Sequence, residues 1–356
     1  MEKIKIVHIS ETFVSGVYTY IKQINRYSEI NGNFKSHIIY SRERNETNES
    51  LFIQDFSAET ELIPIDMTRE ISLFRDLNSL IKIIREIRRI KPNIIHVHSS
   101  KAGVLGRVAR VFYPKAKLYY TPNGYSFIRE DISNSKKAVY KLLEKVITKI
   151  FGGTIIACGD HEYEEAKKLG KAILIRNGVD VDLVSKYQKE HKNQKLTIGT
   201  SGRIYYQKNP KLFNEIALKL PDYNFVWIGD GDLKDKLYAE NITLTGWSTY
   251  EQTLKAVNEL DIFISTSSWE GLPFSIIEAM ALSKPIVSSD IEGNRVTVSQ
   301  NQNGYICSTL DEFVTAIKKL DSSALRDQFG KESFKIANDI FSMDKNAVEL
   351  LKLYQK

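Results

Sequence analysis

Two carboxylates, Glu270 and Glu278, lie eight positions apart in the stretch W-E-G-L-P-F-S-I-I-E-A-M from Trp269 to Met280. Asp261 to Ser268, just upstream, reads D-I-F-I-S-T-S-S, apolar and then small and polar. The pattern predicts a buried strand, a tight loop and a helix. Glu270 then stands on the loop and Glu278 in the first turns of the helix. In an open parallel sheet that edge is where ligands bind. A helix start also offers unpaired backbone N–H groups that suit a phosphate.

Three further stretches carry the same kind of signal. In S-G-R-I-Y-Y-Q-K-N-P, Arg203 and Lys208 follow a strand through Gly202. Arg brings a planar fork and Lys a point charge, a pairing suited to a diphosphate. W-I-G-D-G-D with Gly231 and L-T-G-W-S with Gly246 are strand-end turns whose glycines let a flat base approach backbone. Taken singly, a solvated basic loop and an ordinary turn explain two of these signals equally well. Their convergence describes a nucleotide cradle: base against the Gly231 and Gly246 loops, diphosphate on Arg203, Lys208 and the helix start, ribose hydroxyls on Glu278.

The elements that must hold these residues alternate along the chain. Ile4–Ile9, His37–Tyr40, 61–65, 94–97, 118–120, 154–157 and 172–175 read as strands. An amphipathic helix is predicted over 71–90 from Leu73, Leu77, Leu80, Ile84 and Ile87, stopped by Pro92. Ser41–Ser50 is polar and reads as a loop. R-N-G-V-D followed by a Lys-rich run to Lys195 marks a linker, after which strands and helices alternate again. Such alternation means doubly wound parallel sheets, and 356 residues exceed what one core usually holds. Two domains are expected, 1–176 and 177–341, with a helix at about 342–356 packing back on the first.

The second half resembles the donor domain of glycosyltransferase family 4, the retaining enzymes of the GT-B fold. The resemblance rests on S-G-R with Lys208, G-D-G, L-T-G, and E-G-L-P-F-S-I-I-E, with R-N-G-V-D at the linker. It implies two Rossmann-like domains facing each other across a cleft, Glu270 on hydroxyls of the transferred sugar, and Glu278 on the ribose. It also implies that backbone amides from Leu272 through Pro273 and Phe274 to Ser275 bound the sugar and diphosphate site. In the first half, Gly16 would face the donor diphosphate. The H-V-H-S-S-K-A-G run and T-P-N-G-Y-S-F would form the acceptor side, with His98, Ser99, Ser100, Lys101 and Asn123. His98 reads equally well as a structural histidine, and His96 and His8 are expected in sheet packing. Members often carry His where this chain has Asn123. Asn keeps a donor and an acceptor but does not titrate, so a His-based mechanism is in doubt. The implied reaction moves a sugar from a nucleotide diphosphate, UDP by resemblance, to a glycan or lipid-linked glycan acceptor of a surface polysaccharide such as capsule or O-antigen.

Several classes are disfavoured. Net charge is +6, enough to favour anionic ligands but too little for nucleic-acid binding. Cys158 and Cys307 form no C-x-x-C, and a cytoplasmic enzyme without cofactor or metal is expected. Asp230-Gly-Asp232 and Asp180-Val-Asp182 spell D-x-D but lie in a turn and in the linker, so neither is read as a metal site. There is no G-x-x-x-x-G-K-[ST], the first residues are expected to form a strand and not a signal peptide, and no membrane span is expected. The helix over 71–91 and the run from Lys136 to Lys149 mix cations with apolar residues. Peripheral contact with an anionic membrane and a solvated outer face both fit that mixture. The rival enzyme is a non-hydrolysing epimerase of the same fold; the rival non-enzyme is a nucleotide-binding partner subunit.

Overall fold

The computed structural model describes residues 3–44, 47, 49–68, 70, 72–128, 132–189 and 195–356. The chain divides into two units: Met1–Arg176 with Asn346–Lys356, and Asn177–Lys345. Most of the Lys-rich linker run, 190–194, and the expected helix start at Ile71 lie outside the described residues.

Unit 1 runs β1 (Ile4–Ser10), α1 (Ser15–Asn31), β2 (Phe34–Tyr40), α2 (Glu49–Asp55), β3 (Glu61–Pro64), α3 (Leu73–Ile90), β4 (Ile94–His98), α4 (Ser100–Val111), β5 (Lys117–Thr121), α5 (Asn134–Phe151), β6 (Thr154–Ala157), α6 (Asp160–Leu169) and β7 (Ala172–Leu174). The seven strands are parallel in the order β3-β2-β1-β4-β5-β6-β7, so the order reverses between β1 and β4. Val7, Ile9, Val97 and Ile155 pack with Ile83 and Ile87 of α3 and Ala109 of α4 in one core. The expected loop over 41–50 ends at Glu49, where α2 begins; Phe52 on α2 and Phe56 just after it close a second cluster with Phe13 and Tyr40.

α3 departs from the simple amphipathic reading. Its buried residues are Ser79, Ile83, Ile87 and Ile90, whereas Leu73 and Leu77 of the predicted stripe are 82% and 56% exposed. The 3–4 periodicity is real, but the helix carries two apolar faces and only one meets the core.

Unit 2 runs α7 (Val181–Ser185), β8 (Thr197–Ser201), α8 (Pro210–Lys219), β9 (Asn224–Ile228), β10 (Ile242–Leu244), α9 (Tyr250–Asn258), β11 (Ile262–Ser265), α10 (Phe274–Ala281), β12 (Ile286–Ser289), α11 (Glu292–Arg295), β13 (Gly304–Cys307), α12 (Leu310–Lys319) and α13 (Ser323–Ile340). Its six parallel strands are ordered β10-β9-β8-β11-β12-β13, reversing between β8 and β11. Helix starts follow the local chemistry. Asn209 caps α8 ahead of Pro210, and Thr249 with Gln252 forms a reciprocal box at α9. A last helix, α14 (Met343–Gln355), ends in unit 1, where Tyr354 is buried and pairs with His96.

Candidate active site

The order reversal in unit 2 places the ends of β8 and β11 side by side, the position where open parallel sheets bind ligands. Lys208, after β8, and Glu270, after β11, meet there: Lys208 Nζ lies 2.8 Å from Glu270 Oε1. Ser267 Oγ donates to the same oxygen at 2.9 Å, and Gln207 Nε2 donates to Oε2 at 3.0 Å. The loops are also tied through backbone, with Ser268 N donating to Gln207 O at 2.8 Å and Thr266 Oγ1 to Lys208 O at 2.7 Å. Glu270 is thus fixed by three donors from two loops, an arrangement that preorganises a charge rather than leaving it to solvent.

Glu278 sits one turn into α10, whose first residue is Phe274. Pro273 precedes α10 with no side-chain cap, so its first amides meet no capping side chain. Burial pushes the Glu278 carboxyl up to about 7, while a hydrogen bond from the Tyr250 hydroxyl and the positive Lys208 pull it down. Leu272 O accepts from Asn177 Nδ2 at 3.3 Å, tying the Leu272–Ser275 turn to the start of the unit.

Arg203 Nη2 pairs with Asp232 Oδ2 at 2.7 Å, and its guanidinium lies 5.2 Å from the Tyr205 ring centroid. The two Asp of G-D-G-D are therefore engaged separately. Asp232 holds Arg203, while Asp230 accepts from Gly231 N at 2.7 Å and lies 3.8 Å from Lys234. Asp180 caps α7 by accepting from Leu183 N.

The glycines of this edge answer first to each other. A Cβ on Gly231 would stand 2.3 Å from Ile204 O, and one on Gly229, at φ 145°, 2.3 Å from Gly202 O. Trp227 Nε1 donates to Gly202 O at 2.9 Å and locks the same contact from below. Gly231 is thereby required by the neighbouring loop itself, whatever else approaches it. Gly231→Ala is expected to cost about 1–3 kcal/mol, because the opposing atom is backbone and cannot rotate away. Thermal unfolding measures it; an unchanged midpoint would show that the loops part freely. Gly246, at φ 74°, has open space around its Cβ position, so its left-handed backbone is the constraint there.

Unit 1 places its expected residues less uniformly. Gly16 lies in the first turn of α1, whose N-cap Val14 makes no side-chain hydrogen bond. Ser99, at φ 69°, begins α4, and Ser100 Oγ lies 3.0 Å from Ser126 Oγ. Lys101 is committed to α3, pairing with Asp76 at 2.6 Å and reaching Thr68 and Glu70 O. It is a clamp between helices and not an open acceptor-side cation.

His98 also needs correction as a free catalytic group. It has no exposed surface, and its Nε2 lies 3.0 Å from His8 Nδ1. Side chains two apart share a strand face, so His96 and His98 stand together, and His8 is in register with His96. The ring centroids of His96 and His98 are 4.1 Å apart. Burial lowers His8 to about 3 and holds His96 and His98 well below the usual imidazole value. All three are neutral at pH 7, and among the described residues they are the only three ligating side chains close enough for one ion.

Asn123 takes φ 53°, and Nδ2 donates weakly to Thr121 O at 3.4 Å. Its loop is held by a residue the sequence reading passed over. Glu162, buried in the first turn of α6, accepts from Gly124 N and from Cys158 Sγ. Burial pushes its carboxyl up to about 7, against hydrogen bonds from Cys158, Gly124 and Asn123. Gln207, Ser267 and Tyr250 were passed over as well. Gln207 adjoins Lys208, which is the one signal that pointed to it.

Two family models divide the chain. Glycosyltransferase Family 4 matches residues 14–183 and Glycosyl transferases group 1 matches 184–336. The Escherichia coli enzyme named UDP-Gal:alpha-D-GlcNAc-diphosphoundecaprenol alpha-1,3-galactosyltransferase is 30% identical over 322 residues, 81% of this chain and 81% of that one. The chain belongs to glycosyltransferase family 4. The capsular polysaccharide biosynthesis glycosyltransferase CapM of Staphylococcus aureus is 26% identical, over 82% of this chain and 83% of that one. Among solved structures, Anabaena HepE in complex with UDP and glucose aligns with a TM-score of 0.80 at 16% identity, covering 99% of both chains. The fold of this glycosyltransferase is therefore GT-B, with a Rossmann-like sheet in each unit. It transfers a sugar from a nucleotide-sugar donor, and the relative CapM is named for capsular polysaccharide biosynthesis.

Proposed function

We propose that this glycosyltransferase retains anomeric configuration, uses a UDP-sugar, and extends a lipid-linked glycan acceptor. The observation that carries the reading is the Lys208–Glu270 pair at the β8/β11 reversal, with the uncapped start of α10 beside it. Lys208, Arg203 and the first amides of α10 take up the charge that develops on the departing diphosphate. Glu270, held by Ser267 and Gln207, orients the hydroxyls of the donor sugar. As the bond from the anomeric carbon to the phosphate oxygen breaks, the acceptor oxygen bonds to that carbon on the same face. The acceptor proton passes to the phosphate oxygen, so UDP leaves and no protein base is required. This leaves the neutral Asn123 compatible with activity. The charge balance is supplied by the chain's own cations, and the reaction is expected to proceed in EDTA. The lipid-linked acceptor and the UDP donor draw on the E. coli relative, whose name gives both.

The test is UDP release from a panel of nucleotide sugars with lipid-linked and simple acceptors, followed by NMR of the new linkage. A β-configured product from an α-configured donor, or epimerised donor in the absence of acceptor, would sink the reading.

Glu278 gives a pH signature. Its carboxyl is neutral below about 7, and a carboxylate accepts from a ribose diol better than the protonated acid. Donor KM should therefore fall as pH rises through about 7, with a proton released on binding. Glu278→Gln should flatten that dependence, and a wild-type slope in the variant would remove the ribose assignment.

Membrane contact is part of the same proposal. No helix of the described residues is long and apolar enough to cross a bilayer. α3, α4 and α5 pack side by side, and α3 exposes Leu73, Phe74, Leu77 and Ile81. α5 exposes Val139, Leu142, Val146 and Ile150 among five lysines; its one acid, Glu144, is buried against Arg107. Such a face fits an anionic surface that supplies a lipid-linked acceptor.

A further inference from the structure

The charge of the chain is unevenly divided. Unit 1 carries 31 Lys and Arg against 21 Asp and Glu, and unit 2 carries 19 against 23. The excess converges on an open cavity of about 890 Å3 at the surface, lined by Arg110 and the exposed Lys117, Lys145, Lys149, Lys171 and Lys356. It lies where β5 and β6 begin and α5 and α6 end, at the opposite edge of the sheet from Ser99 and Asn123. No Asp or Glu lines it.

Neighbouring cations are neutralised: Arg107 by Glu144, Lys141 and Lys168 by Glu165, Lys167 by Glu164. Among the described residues none of the six is ion-paired with a side-chain carboxylate. The carbonyl ends of α5 and α6 attract a cation or two, but six in one cavity repel one another, and a bound anion relieves that repulsion. The remaining walls are apolar or backbone: Leu118, Phe151, Leu169 and the Gly152–Gly153 turn. Lys149 and Phe151 flank Ile150, the last exposed apolar residue of the α5 stripe.

We propose that this cavity binds the phosphate-bearing headgroup of an anionic lipid, seating it where the outward stripe of α5 enters the membrane surface. The proposal rests on the membrane contact above and adds a discrete site to it. The occupant is distinct from the acceptor, since the cavity and the acceptor-side residues lie at opposite strand ends. A phosphodiester with a short polar head fits a volume of this size. The stripe beside the cavity would hold its acyl chains.

The test is co-sedimentation of the full chain with vesicles of phosphatidylcholine containing about a third phosphatidylglycerol, and with phosphatidylcholine alone. The wild type should bind the anionic vesicles. Lys117→Ser/Lys171→Ser should weaken that binding about 25-fold, whereas Lys211→Ser/Lys219→Ser on α8, which removes the same charge from unit 2, should change it by less than about 3-fold. The soluble headgroup glycerophosphoglycerol should shift the amide resonances of Gly152 and Gly153 in the wild type but not in the cavity variant. Wild-type binding that both double variants weaken equally would overturn the cavity and leave membrane contact standing. Absence of wild-type vesicle binding would overturn the membrane reading and the lipid site with it. If inorganic phosphate then still shifted Gly152 and Gly153, the cavity would be a free-phosphate site.

Discussion

Lys208→Ala should lower the rate of sugar transfer by ~10²-fold or more, the scale seen when one electrostatic donor to a transition state is removed. Lys208 is the closest cation to Glu270 and acts on Glu278 as well. In the proposed mechanism its loss removes positive charge where the diphosphate departs, and it leaves Glu270 without its counter-ion. The fold should survive, because Gln207 and Ser267 still donate to Glu270. The measurement is kcat for UDP release at saturating donor, together with the unfolding midpoint. A near-normal kcat would move the diphosphate elsewhere. A collapsed midpoint would make the lysine a structural residue.

Arg107→Ala should cost about 3–5 kcal/mol of unit 1 stability, as expected when half of a buried ion pair is removed. That is a large share of a typical total. Arg107 has no exposed surface. Its Nε donates to Gly103 O at 2.8 Å, Nη1 to Thr148 Oγ1 at 2.9 Å and Nη2 to Glu144 Oε2 at 2.7 Å. Tyr120 Oη donates to the other Glu144 oxygen, and the guanidinium stacks 4.2 Å from the Tyr120 ring centroid. Truncation strands a buried carboxylate; replacing both partners, as in Arg107→Met/Glu144→Leu, should restore much of the loss. Trp227, Trp247 and Trp269 all belong to unit 2. Urea titrations should therefore show the far-UV transition moving while the tryptophan transition stays in place. Movement of both together would contradict a loss confined to unit 1.

Much of this was legible in the chain itself, for physical reasons that differ by residue. Strands buried on both faces leave continuous apolar runs, so β4, β9 and β11 stand out, and Asn209-Pro210 announces α8. Short elements escape: α7 and α11 have too few residues to show a period. α3 shows the limit of periodicity, which counts apolar faces but does not say what covers them. The cations and carboxylates of unit 2 were findable because charged residues at strand ends are unusual. Their supports Gln207, Ser267 and Tyr250 are ordinary residue types whose meaning appears only when distant loops meet. His98 illustrates a signal present but unread: the two-residue spacing from His96 already put both rings on one face. Glu162 gave no signal, since a Glu early in a helix is commonplace and only burial sets it apart.

The two-part composition of unit 1 orders events during synthesis. Residues 177–345 of unit 2 are contiguous, whereas unit 1 needs Asn346–Lys356 as well as Met1–Arg176. Tyr354 meets His96 and stacks near Tyr119, and Leu350 and Leu351 are buried. Unit 2 can therefore form from one contiguous segment, whereas unit 1, although mostly translated first, lacks a side of its core until Asn346–Lys356 is made. Until then the face of the sheet from Phe34 to Tyr119, which Tyr354 covers in the finished fold, stays open.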